Sequence, residues 1–182
     1  MAFIKTVPLL EAVKAQMEAM TIADENPEKL LEEVVLFHTP EMGSAIKRLV
    51  ISKNRIGLIV PSGDDFVSQG SADYVQTTAT HEFEIILADR VWSTIKNTGA
   101  LFGDANNVGV VPMKDRVIEK LFGASLEIPG VVLTPIAGSF VTVKDDKDPK
   151  HKDTPGRESY MSTWSTWAGE QSASTGSDGF GG

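Results

Sequence analysis

Apolar residues at positions 9, 10, 13, 17 and 20 recur at steps of three and four, which predicts one amphipathic helix with a single buried stripe. Thr6 can cap it, and Pro8 falls early enough to be tolerated. The run 24–27 interrupts the pattern. Pro27 then suits the first turn of a second short helix carrying Leu30, Leu31, Val34 and Val35, with Pro40 ending that segment. From Ile46 the period changes. Residues 48–51 and 56–60 are short apolar runs around a turn at 52–54, and predict a hairpin or two sequential strands. The turn formers of 61–73 predict a surface loop. Residues 74–87 form the longest extended candidate, with Phe83, Ile85 and Leu87 on one face and Thr80, Glu82 and Glu84 on the other.

Further along, Trp92 and Ile95 suggest a short helical turn between loops at 97–99 and 103–107. Pro112 opens a clear helix to Phe122, with Met113, Val117, Ile118 and Leu121 as its stripe and Gly123 as its stop. Strands resume at 131–136 and 139–143, where Pro135 implies an edge position or a bulge. The alternating lysines and aspartates of 144–153 predict a mobile loop. The aromatic segment 157–168 then reads as a strand. Beyond it, 169–182 is rich in Gly and Ser and has too little apolar area to offset chain entropy, Phe180 being its one large apolar residue. The expected fold is therefore α/β of the α+β kind: one domain over 1–168 and a flexible, disordered tail over 169–182. Its sheet should be mostly antiparallel or mixed, packed by two or three amphipathic helices.

A chain of 182 residues with 41% hydrophobic content has the size and apolar share of one core. The net charge of -8 argues against a surface made for nucleic acid, which needs clustered Lys and Arg. With no cysteine, disulfides, thiol nucleophiles and thiolate metal sites are excluded. The first fourteen residues do not read as a secretion signal, and no run approaches the roughly 18 apolar residues of a membrane helix. The expectation is a soluble protein with no membrane partner that stays inside the cell that makes it.

Candidate chemistry is sparse. His38, His81 and His151 are scattered across a helix exit, a strand and a charged loop, without metal-site spacing. Asp64, Asp65, Asp73, Glu82 and Glu84 could gather oxygens around Mg²⁺, although turn residues and the wet face of a strand are the simpler explanation. Neither a phosphate-binding loop nor a Gly-x-Ser-x-Gly elbow is present. No enzymatic activity, cofactor or metal is expected.

The aromatic segment stands out instead. Trp164 and Trp167 are three apart, so a regular strand places them on opposite faces, either one towards the core and one towards a neighbour or both beneath the protein's own loops. Arg157, Tyr160, Trp164 and Trp167 are the candidate interface residues, and the expected function is self-assembly.

An N-terminal amphipathic helix leads into strands ending in His81, Glu82, Phe83, Glu84, Ile85, Ile86 and Leu87. A helix over 112–122 and closing strands around 131–143 and 157–168 follow. Over residues 3–168 this order and the character of the strands resemble a tail terminator (tail completion) protein of a tailed bacteriophage. The resemblance implies a structural virion protein at the neck end of the tail, assembled in the host cytoplasm. Its partners would be itself, in a homohexameric ring, the tail-tube protein it caps and the head–tail connector, with DNA passing through the lumen without specific binding. The resemblance brings no catalytic residues. Alternatives are another connector, neck or tail-tube subunit, or a carboxylate-dependent metal enzyme using Asp64, Asp65 or Asp73.

Overall fold

In the computed structural model the described residues are 6–37, 54–71, 74–90, 98–105, 108–128, 131–144 and 159–176. Within them the chain runs α1 (Thr6–Ala19), β1 (Thr21–Ala23), β2 (Asn26–Lys29), β3 (Glu33–Leu36), β4 (Arg55–Ser71), β5 (Tyr74–Arg90), α2 (Thr98–Phe102), α3 (Val110–Leu121), β6 (Val132–Lys144) and β7 (Ser159–Gly176). A small antiparallel pair, β1 and β2, stands beside a mixed sheet of order β3-β4-β5-β7-β6. The fold is α+β, with β3 parallel to β4 and every other neighbour antiparallel.

The core lies between this sheet and the helices. Leu9, Leu10, Val13 and Met17 of α1 are buried, as the three- and four-residue steps require. They meet Ile59 of β4, Phe83, Ile85 and Leu87 of β5, Met113, Val117 and Leu121 of α3, and Leu133 of β6. Gly57 makes the close fit of α1 possible. A Cβ there would stand 3.0 Å from both Met17 Cε and Leu31 Cδ1. The opposite face of the sheet is also buried at Ile56, Leu58, Ile86 and Ala88.

Four expectations are corrected. The second helix does not form: the segment becomes β2 and β3. Arg55 holds the chain between them, its guanidinium donating to the carbonyls of Leu30 (3.1 Å) and Lys29 (3.0 Å) and to Glu28 (2.8 Å). Val34 thereby enters the core beside β4. A short segment rich in β-branched residues gains more from a parallel strand partner than from a costly helical nucleus.

The expected loop over 61–73 is, up to Ser71, the second half of β4, paired residue by residue with β5 from Gly63↔Glu82 to Ser71↔Tyr74. A bulge between Pro61 and Gly63 absorbs the turn-forming residues. The tail boundary at 168 also moves. β7 runs to Gly176, with Glu170 opposite Thr80 and Gly176 opposite Tyr74. Backbone pairing needs no apolar side chains, so composition alone misplaces the end of such a strand. Lastly, a short helix covers Thr98–Phe102, where the sequence predicts a loop from 97 to 99.

Pro135 sits both on the edge strand β6 and at a bulge, and β6 continues unbroken through Ala137 and Gly138. The runs at 48–51, the segment around Trp92 and Ile95, most of the charged run at 144–153, and Arg157 and Phe180 lie outside the described residues.

Candidate interaction surface

Three strands of the sheet continue beyond the bulge between Pro61 and Gly63. Beyond the bulge, residues 62–71 of β4, 74–82 of β5 and 168–176 of β7 form an arm whose strands pair with one another. Every residue from 62 to 69 is exposed, including Phe66 at 57% and Val67 at 53%. Its acidic residues are Asp64, Asp65, Glu82 and Glu170, joined by His81, with no lysine or arginine.

The root of the arm is pinned to the start of α1. The imidazole Nδ1 of His81, a residue only 3% exposed, lies 2.6 Å from Asp64 Oδ1. Thr6 Oγ1 donates to the same carboxylate at 3.2 Å and stands 3.5 Å from Nδ1. Phe66 meets the imidazole edge-on, centroids 6.5 Å apart. His81 Nε2 is buried without a hydrogen-bond partner.

The other polar cluster ties the β1–β2 turn to α3. Arg116, largely buried, donates to Asp24, to Glu119 at 2.9 Å and to the Thr21 carbonyl at 3.2 Å, and Lys120 reaches Asp24 at 2.9 Å. The hydrogen bond from Arg116, followed by that from Lys120, holds the Asp24 carboxyl below its ordinary 3.8, at about 2. The same bond to Asp24 raises Arg116. Because the Asp24 value is depressed in the folded state, its contribution is complete above pH 3.8 and is lost as the pH falls through about 2. The stability difference between wild type and Asp24→Asn, measured by urea unfolding, is expected to shrink across that interval and stay constant above it. Exposure of Asp24 keeps the difference small. A difference that grew on acidification would contradict this. A hollow of about 260 Å³ lined by Gln16, Ala19, Met20 and Thr21 borders the cluster.

Of the residues singled out in the sequence, Tyr160 stands opposite Arg90 and Val143, Trp164 opposite Ile86 and Ser139, and Trp167 opposite Phe83 and Pro135. Their strand β7 is interior, flanked by β5 and β6 of its own sheet. Phe83 belongs to the helix-side core and Ile86 to the other face, so positions 164 and 167 fall in register with opposite faces. Among the described residues the carboxylates considered for a metal do not converge, and Asp73 lies outside them. Asp64 turns to His81, Asp65 Oδ1 accepts the Phe66 N–H at 2.9 Å, and among the described residues no three His, Asp or Glu could hold an ion together. Also among the described residues, no helix is long and apolar enough to cross a membrane.

The arm and the Thr6–Asp64–His81 cluster were missed in the sequence. The available signal was the pair Phe66 and Val67 ahead of the strand expected from 74, masked by the turn formers around it. No protein-family model matches the chain, and no curated protein does.

Proposed function

We propose that this chain is a structural subunit that assembles with copies of itself into a ring, in the manner of the tail terminator of a tailed bacteriophage. Such a ring would cap the tail tube, stop its growth and join the tail to the head connector. The arm is the observation that carries the reading. It is a three-stranded ribbon with exposed Phe66 and Val67, along whose outer side no strand lies among the described residues. A ribbon of that kind gains its stability and its solubility from a partner that covers it.

The fold suits a mechanical role. Asp64, His81 and Thr6 tie the root of the arm to the start of α1, the layer that packs on the sheet. Arg157, Tyr160, Trp164 and Trp167 remain the residues proposed for contacts around the ring. An arm with carboxylates and no lysine or arginine would make a lumen wall that lets DNA slide past without binding.

The double variant Phe66→Asp, Val67→Asp tests the role of the arm. It is expected to remain monomeric by sedimentation velocity at concentrations where wild type assembles, with an unchanged far-ultraviolet circular dichroism spectrum. Assembly identical to wild type would remove the arm from the interface. Assembly of the wild type into open-ended tubes instead of closed rings would favour a tail-tube subunit.

A further inference from the structure

Arg116 and Lys120 meet at one oxygen. Both donate to Asp24 Oδ1, Arg116 from Nη2 and Lys120 from Nζ at 2.9 Å. The Arg116 guanidinium also donates to the Thr21 carbonyl and to both oxygens of Glu119, so its direction is fixed by the fold. Asp24 is held less firmly. Its side chain is 70% exposed and comes from the short turn between β1 and β2. An exposed ion pair of this kind contributes little, so another carboxylate can take its place at low cost. The hollow beside it, about 260 Å³, is bounded by Ala19 and Met20 as well as by the two cations, and has room for a carboxylate together with a small apolar side chain.

The arm carries such a pair of side chains. Asp65 and Val67 stand opposite Thr80 and Thr78, two apart on β4, so they share one face of the arm, while Phe66 meets His81 on the other. Both are exposed. Asp65 Oδ1 accepts the Phe66 N–H, and the second oxygen of the carboxylate can meet a cation. Within one chain the two sites belong to opposite ends of α1. Asp64 accepts from Thr6, the first residue of the helix, whereas Gly57 lies against Met17 near its last turn, so β4 runs counter to α1 and 65–71 continue away from the hollow. The hollow opens at Gln16, Ala19 and Met20. A helix of 14 residues is about 21 Å long, which keeps Asp65 out of reach of its own Lys120.

We infer that the face of the arm carrying Asp65 and Val67 docks in the Arg116–Lys120 hollow of a second copy, where the Asp65 carboxylate displaces Asp24 from the two cations and Val67 rests on Ala19 and Met20. One carboxylate replaces another, so the charge facing the cations stays matched, and an arm with acidic residues and no lysine or arginine supplies the negative partner. The two surfaces are unlike and sit at opposite ends of α1. That is the head-to-tail contact from which rings close, whereas a self-complementary patch stops at a two-fold dimer. Asp24 is thereby an internal competitor that holds back association of the free subunit. The inference rests on the ring reading and adds the two surfaces and the group that must move.

Exchange of the two charges, read by sedimentation velocity over a range of protein concentrations, tests the contact. Asp65→Lys and Lys120→Glu are each expected to raise the concentration needed for assembly about tenfold or more, and the double variant to return to within about threefold of wild type. Circular dichroism checks that each variant is folded. Should Lys120→Glu unfold, Asp65→Ala, Lys120→Ala and their combination give the same reading, with the combination costing no more than either change alone. Asp24→Asn removes the competitor and should assemble at a concentration about three- to fivefold below wild type. A purely structural Asp24 would leave assembly unchanged or weakened, and that result overturns the displacement. Single variants that assemble as wild type does, or a double variant no better than either, overturn the contact while the ring reading stands. A wild type that is monomeric at every concentration overturns both.

Discussion

Replacing Phe83 by alanine is expected to lower the unfolding free energy by about 3–5 kcal/mol, the usual cost of deleting a fully buried ring whose surroundings cannot collapse. Phe83 has no exposed surface and lies in the cluster that joins α1, β5 and α3. Its backbone is fixed on both sides, opposite Pro61 of β4 and Trp167 of β7, so neither neighbouring strand can close on the void. Urea titration followed by tryptophan fluorescence should show an earlier midpoint with an unchanged slope. Val67→Ala, on the exposed arm, should stay within about 0.5 kcal/mol of wild type in the free subunit. A Phe83→Ala variant as stable as Val67→Ala would mean that the sheet and helices do not pack as described.

Gly109→Ala should be the second severe substitution, at about 2–4 kcal/mol from backbone strain and the loss of a buried hydrogen bond. Gly109 precedes α3 with a φ of 89°, a region that side chains rarely adopt. An added Cβ would lie 2.3 Å from the Gly103 nitrogen and 2.8 Å from the Phe102 carbonyl carbon, and backbone atoms cannot yield as a flexible side chain does. The Gly109 N–H donates at 2.7 Å to the buried carboxylate of Asp89. That bond serves the start of a helix with no side-chain cap of its own and places negative charge at its positive end. Moving residue 109 away from Gly103 disturbs this contact and the seat of Met113 and Val117. The measurement is again urea unfolding, and a loss under about 1 kcal/mol would contradict the described approach of the two backbones.

The parts of the fold legible in the sequence are those fixed by local period. The stripe of α1, the stripe of α3 with its glycine stop, and the alternation in β5 each declare a buried face within a few residues. The parts that were not legible depend on distant partners. Leu30, Leu31, Val34 and Val35 satisfy a helical period, yet Arg55 and the parallel edge of β4 determine that they form strand and turn. Residues 62–71 and 169–176 hold the same polar composition as a loop and a tail. They become strands because β5 lies between them and pairs with both.

The candidate surface was read only in part. The aromatic residues at 164 and 167 drew notice to β7, which is interior to its own sheet, while the edge strands are β3 and β6 and, among the described residues, β3 flanks β4 only at 56–59. His81 looked like an ordinary strand residue. Its partner Asp64 comes from the other side of the hairpin, and no spacing rule connects them with Thr6.

Assembly is the central claim, and the native mass of the wild-type protein, followed by negative-stain imaging with and without the matching tail-tube protein, tests it most directly. Closed rings of uniform mass that cap the tubes are the expected result. A strict monomer that never binds a tube would contradict it.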